Sequence, residues 1–186
     1  MASRAGEFVV LLRGVNVGGA RRLPMARLRE LLTGLGYTRV ATLLNSGNAV
    51  YSATSGTPRT HAQRISTALR EDVGVEVEVI VKSAETLGAI VTGNPIPTAD
   101  LEHSRFLVLF TQEAGDLAAL APIAGAIEPP ERFAIGEDAA YLYCANGILE
   151  SKAGKAMLGK RGATVTTRNL ATTLKLLALA RAGRPA

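Results

Sequence analysis

Tryptophan is absent from this chain, and cysteine occurs once in 186 residues, at Cys144. A single thiol excludes an intrachain disulfide framework and fits a reducing compartment. His61 and His103 are the only histidines and lie 42 positions apart. With one cysteine beside them they make a His/Cys zinc centre improbable, so no metal site is expected. Long apolar runs are missing too: none approaches the ~18–20 residues that span a bilayer. The first, Phe8 to Leu12, is five residues, too short for the core of a signal peptide. A cytoplasmic protein without membrane partners is therefore expected. Aromatics reach only 4%, which argues against an open sheet that reads RNA by stacking bases.

What is present is a globular composition, 47% hydrophobic and 20% charged. The length allows one large or two small domains. Net charge is +5, and its distribution is uneven: Phe8 to Arg29 holds five arginines and no acid, and Ser151 to Ala186 holds eight Lys or Arg and no acid. Two acid-free basic segments either solvate two surfaces or build one positive face if the fold joins them.

The pattern along the chain repeats. Phe8 to Leu12 reads as a strand. Pro24 suits the first position of a helix carrying Met25, Leu28, Leu31, Leu32 and Leu35, which Gly36 stops. Val40 to Leu44 and Ala49 to Ser52 read as strands joined by Asn45-Ser46-Gly47-Asn48, residues that tolerate positive φ. A helix over Thr60 to Val73, a strand over Val75 to Val81 and a short helix over Ala84 to Val91 follow. Beyond the stiff segment Gly93 to Pro97 come a strand at Phe106 to Phe110, a helix over Asp116 to Ile127 that Pro122 bends or shortens, and a hairpin of Arg132 to Ile135 with Ala140 to Cys144. A helix over Lys152 to Lys160, a strand over Ala163 to Thr166 and a terminal helix over Asn169 to Ala182 complete it. We therefore expect an α+β protein of two tandem ferredoxin-like (βαββαβ) subdomains, each followed by an extra helix, over 1–94 and 100–186 with a linker at 95–99. Continuous apolarity in the first strand of each half predicts burial on both faces.

Four separated motifs carry a resemblance: Leu12-Arg13-Gly14-Val15-Asn16-Val17-Gly18-Gly19, then Ser46-Gly47-Asn48, Ser151-Lys152 and Thr167-Arg168-Asn169. With them the whole chain resembles a bacterial family known only as domain of unknown function 1697. Where that family has Trp and Asn after the terminal Arg-Asn, this chain has Leu170 and Ala171. The resemblance implies a cytoplasmic α+β protein of two related subdomains, and no activity, cofactor or oligomeric state.

Ferredoxin-like connectivity places the loop after the first strand beside the hairpin, so Arg13, Asn16, Gly18 and Gly19 should meet Ser46, Gly47 and Asn48. In the second half Ser151 and Lys152 should lie beside Thr167, Arg168 and Asn169. Arg13, Arg21 and Arg22 flank a glycine-rich loop feeding a helix N-terminus, where amides and the helix dipole favour an anion. Arg168 suits a carboxylate or phosphate and Lys152 adds a point charge. The functional expectation is a phosphate- or carboxylate-bearing small ligand held at the junction of the two subdomains by Arg13 and Arg168 and oriented by Asn16, Asn48 and Lys152, with no reaction assigned. Two alternatives stand beside it: a protein that binds nucleic-acid backbone without catalysis, and a structural or interaction module. In the last, Gly18-Gly19 makes only a turn, the hairpin residues only close it, and Asn169 only caps a helix. Gly154 to Arg161 imitates a phosphate loop but has Arg161 where Ser or Thr is needed, and reads as helix. Cys144 reads as a small core residue.

Overall fold

A computed structural model describes residues 6–18, 22–158 and 164–182. The chain divides into two compact units, Met1–Leu87 with Leu176–Ala186, and Gly88–Lys175. The first half contains strand β1 (Gly6–Leu12), helix α1 (Met25–Gly34), β2 (Thr38–Thr42), β3 (Asn48–Ala53), helix α2 (Pro58–Ala68), β4 (Val79–Ser83) and helix α3 (Ala84–Thr92). The second contains β5 (Phe106–Phe110), a 3₁₀ segment over Ala114–Ala126, β6 (Arg132–Ile135), β7 (Ala140–Tyr143), helix α4 (Lys152–Leu158), β8 (Thr166–Asn169) and helix α5 (Leu170–Arg181). Helices α3 and α5 are where the chain passes from one unit to the other, so these units differ from the 1–94 and 100–186 halves chiefly there.

Each unit is built on a four-stranded sheet, ordered β2-β3-β1-β4 in the first and β6-β7-β5-β8 in the second, with every neighbouring pair antiparallel. The architecture is α+β, with two antiparallel sheets and their helices. In the first sheet Phe8, Val10 and Leu12 point into a core with Leu28, Leu31 and Leu32 of α1 and Ile65 of α2. Alternate residues Val9 and Leu11 are fully buried as well. Every residue of β5 is buried, as its unbroken apolarity predicted.

Among the boundaries that move, β2 lies at Thr38–Thr42 rather than Val40 to Leu44 and α2 begins at Pro58 rather than Thr60; two strand boundaries move for one physical reason. Val75 to Val81 alternates like a strand, but pairing starts only at Val79, because its partner β1 ends at Leu12 opposite Val79. A strand exists where a neighbour supplies hydrogen bonds, not where its side chains merely suit one. Likewise β8 is Thr166–Asn169, set against Phe110 to Leu107. The expected strand at Ala163 to Thr166 shares only Thr166 with it, and Ala163 lies outside the described residues.

The connection after β5 departs further. It is not an α-helix but a succession of 3₁₀ turns. Leu117, Leu120 and Ile123 are its buried residues, spaced three apart, and a three-residue turn stacks such residues on one face. Pro122 lacks the amide that an α-helix would use there. Elsewhere local chemistry behaves as expected. Thr57 and Thr60 form a reciprocal capping box at the start of α2. After Ala68 that helix widens into one π turn over Leu69–Val73, closed by Gly74 in the left-handed region. Pro24 is the residue before α1 rather than its first helical residue.

Candidate functional site: the loop end of the first unit

The loop leaving β1 and the β2–β3 hairpin do meet, and one side chain joins them. Asn16 donates from Nδ2 to the carbonyls of Leu23 at 2.9 Å and Asn45 at 2.7 Å, and its Oδ1 accepts from the Leu23 amide at 2.9 Å. The residue spends this on a left-handed backbone, φ 56°, a conformation asparagine tolerates better than most residues. The Leu12 amide donates to the Gly47 carbonyl at 2.8 Å. Gly47 has φ +76°, and a Cβ there would stand 2.5 Å from Val15 Cγ2 and 2.7 Å from Leu12 Cβ. Glycine at 47 is therefore a packing requirement as well as a turn requirement.

Asn48 and Ser46 finish the hairpin. Buried Asn48 donates from Nδ2 to the Leu43 carbonyl at 3.1 Å and to Ser46 Oγ at 2.9 Å. Arg13 is half-buried, with its amide donating to the Glu78 carbonyl at 3.0 Å. Gly18 is exposed at φ +61° with open space around it. Gly19 and Arg21 lie outside the described residues.

Beside this joint lies a depression of about 500 Å³ lined by Asn16, Arg22, Leu23, Pro24, Met25 and Asn45. It sits at the N-terminus of α1, whose first turn has no side-chain cap and no acidic residue. Amides there point along the helix axis with the positive end of its dipole. Val17 and Leu44, both exposed, belong to the same two loops.

The second-half residues are held by local structure. Ser151 caps α4, its Oγ accepting from the Gly154 amide at 2.9 Å, and its hydroxyl also bonds the buried Cys144 thiol, whose pKa burial pushes up. Lys152 is exposed and paired with Glu128, which raises its pKa. Arg168 corrects the expectation most clearly. It lies within β8, opposite Val108, not in a turn after the strand. Its guanidinium is buried and donates to Thr166 Oγ1 and the Thr167 carbonyl, both at 2.8 Å, and burial lowers its pKa to about 10. Asn169 ends β8 and caps α5, accepting from the Thr172 amide at 2.8 Å. Helix α4 starts before Gly154 and runs to Leu158, so the described part of the Gly154 to Arg161 stretch is helix rather than a strand-to-helix loop; 159–161 lie outside the described residues.

One cluster escaped the sequence reading. His61, Tyr37, Tyr51 and Phe8 pack together inside the first unit, Tyr37 stacked on Tyr51 at 4.2 Å between ring centroids. Their scattered positions give no sequence signal; only the pairing of β1 with β3 and the placement of α2 unite them. Among the described residues no cluster of three or more His, Cys, Asp or Glu is arranged to hold a metal ion, and no helix is long and apolar enough to cross a membrane.

Two sheets of identical strand order and an elaborated polar loop define a class of two-unit α+β proteins, and comparison places the chain within it. The sequence model of the family described as protein of unknown function (DUF1697) matches residues 6–141, so the chain belongs to that family. The match ends before Ser151-Lys152 and Thr167-Arg168-Asn169, and the whole-chain resemblance is narrower by that much at the level of the family model. No curated protein matches the chain. Among solved structures, the conserved bacterial protein SP0830 from Streptococcus pneumoniae is similar, with a TM-score of 0.77 and 22% identity over 95% of this chain and 99% of that one. At that identity the likeness speaks for the fold.

Proposed function

We propose that the protein binds a small ligand bearing a phosphate or carboxylate, and that the anion sits in the depression at the N-terminus of α1. The observation carrying this is the uncapped first turn of α1 facing a space with Arg22 on its wall. Backbone amides and helix dipole favour an anion there, and an arginine offers two parallel hydrogen bonds to its oxygens. Arg13 and Gly18 flank the same loop, and Asn16 holds the floor rigid through its three bonds. Ser46, Gly47 and Asn48 complete the loop cluster in this reading, and Gly19, outside the described residues, stays with it only as a sequence-based candidate. Ser151, Lys152, Arg168 and Asn169 enter it as supports of the second unit rather than as contacts. We also read each unit as ferredoxin-like, which the strand order and the antiparallel pairing support, and place the protein in the cytoplasm.

A thermal-shift series on the full chain with inorganic phosphate, nucleotides, sugar phosphates and acidic metabolites tests the site. At least one anion is expected to raise the melting temperature, with Arg22→Ala removing the shift while leaving the unliganded protein as stable as before. Absence of stabilisation by every anion overturns the reading. Affinity for single-stranded nucleic acid that collapses between low and moderate salt favours backbone binding instead, a reading supported by the sequence pI of about 9.7.

A further inference from the structure

We propose that His61 is a proton-operated latch: neutral, it keeps the start of α2 closed over the aromatic cluster of the first unit, and protonated, it releases it. The imidazole is 1% exposed and is packed by Phe8, Tyr37 and Tyr51, with ring centroids 4.6, 5.2 and 5.7 Å away. Nδ1 shares a hydrogen bond with the Tyr37 hydroxyl at 2.8 Å. Nε2 is buried and has no hydrogen-bond partner among the described residues.

Gly56 covers the other edge of the ring. A Cβ at that position would lie 2.7 Å from His61 Cε1 and 2.9 Å from Nε2, at φ +106°. Residues 54–57 are themselves exposed. The unpartnered nitrogen is thus separated from water by a glycine segment at the entrance to α2.

The charge balance around the ring is one-sided. Tyr37 faces it from the segment before β2, Tyr51 from β3 and Phe8 from β1. Arg64, one turn on in α2, lies 5.4 Å from the centre of the Tyr37 ring. No carboxylate stands among these groups. Protonation makes both ring nitrogens donors, which leaves a charged Nε2–H buried without an acceptor, with the Arg64 cation repelling the added charge. Burial first, then Arg64, hold the imidazole pKa below its ordinary 6.5.

The sign follows. The closed form binds fewer protons than the open one, so stability is complete at neutral pH and above. It falls as pH drops through about 6.5, the open-state value, towards the lower closed-state value. The charged imidazole reaches water by displacing residues 54–57 and the first turn of α2, which opens the cover over Tyr37 and Tyr51.

NMR of the full chain between pH 7.5 and 5 tests this by following the His61 ring, amide exchange in α2 corrected for intrinsic rates, and β5 amides as the second-unit reference. The opening equilibrium of α2 is expected to rise by up to about tenfold per pH unit, one proton's worth, while β5 stays protected. His61→Phe is expected to abolish that rise. Titration of His61 at or above its ordinary value with α2 still protected overturns the proposal, as does an equal rise in His61→Phe or a ring that stays neutral and closed to pH 5. Should His61→Phe fail to fold, the wild-type titration decides between the same outcomes.

Discussion

The two units use one strand order to different ends. In both, the first strand is central and paired on each side by an antiparallel neighbour, buried throughout in β5 and from Phe8 to Leu12 in β1. Yet the connection leaving it is a long polar loop and an α-helix in the first unit, and a short link into 3₁₀ turns in the second. The first unit adds Asn16 and Gly47 as a joint between loop and hairpin, with Asn48 closing the hairpin itself. In the second, the short link after β5 is held locally, Thr111 Oγ1 donating to the Glu113 carbonyl at 2.8 Å, while the long-range polar bonds lie elsewhere, as from the Tyr141 hydroxyl to the Ile90 carbonyl at 2.6 Å. The cores differ as well. The second unit's core cluster holds aliphatic residues with Cys144, Met157 and a partly buried Phe133, and the unit also buries Phe106, Phe110 and Tyr141, whereas the first encloses two tyrosines bonded to or packed on a buried histidine. A shared sheet therefore specifies little beyond its own pairing, and each unit builds different chemistry on it: a loop–hairpin joint and a buried histidine in the first, a buried strand arginine in the second.

The sharpest way to test that contrast is to damage one unit and watch the other. The tyrosines divide evenly, Tyr37 and Tyr51 in the first unit and Tyr141 and Tyr143 in the second, so their ring NMR signals report each separately. Ending the chain at Lys175 removes buried Leu176, Leu177 and Ala180, which belong to the first unit. A loss of about 5 kcal/mol is expected from the lost burial, with Tyr37 and Tyr51 losing their dispersion in urea first. Leu109→Ala empties a fully buried position in the second core and is expected to cost about 3 kcal/mol, read from Tyr141.

Smaller effects probe the loop joint. Gly47→Ala forces a Cβ against Leu12 and Val15 at a left-handed φ; about 2–3 kcal/mol of urea stability should be lost from the first unit. Asn16→Ala strands the amide and carbonyl of Leu23 and the carbonyl of Asn45, worth about 2 kcal/mol, and should also loosen the depression beside α1, seen as faster amide exchange at Met25. Asn169→Ala removes the cap of α5 at about 1 kcal/mol, the least of these, measured by chemical denaturation.

Much of this fold was legible from side-chain pattern. Phe106 to Phe110 and Arg132 to Ile135 coincide with β5 and β6 because their apolar runs and the turn between Ile135 and Ala140 are self-contained signals. Where a boundary depended on the partner strand, as at Val79 and Thr166, pattern alone misplaced it. That error carried over to chemistry: putting the last strand too early made Arg168 look like a turn residue free to hold an anion, when it is a buried strand residue bonded to Thr166 and Thr167. The spacing Leu117, Leu120, Ile123 was visible and was a three-residue period, but Pro122 drew attention to a bent α-helix instead. Asn16 reads from sequence as polar and loop-borne; that it bonds Leu23 and Asn45 follows only once the β1 loop and hairpin are side by side.

The 3₁₀ segment also dictates how this chain can change length. With three residues per turn, one inserted or deleted residue between Leu117 and Ile123 swings everything after it by a third of a revolution and drives a polar neighbour inward. A change of three restores the alignment and only lengthens the bridge from β5 to β6. Length variants at this place should therefore be tolerated in triplets, a rule that does not hold for the α-helix occupying the corresponding place in the first unit.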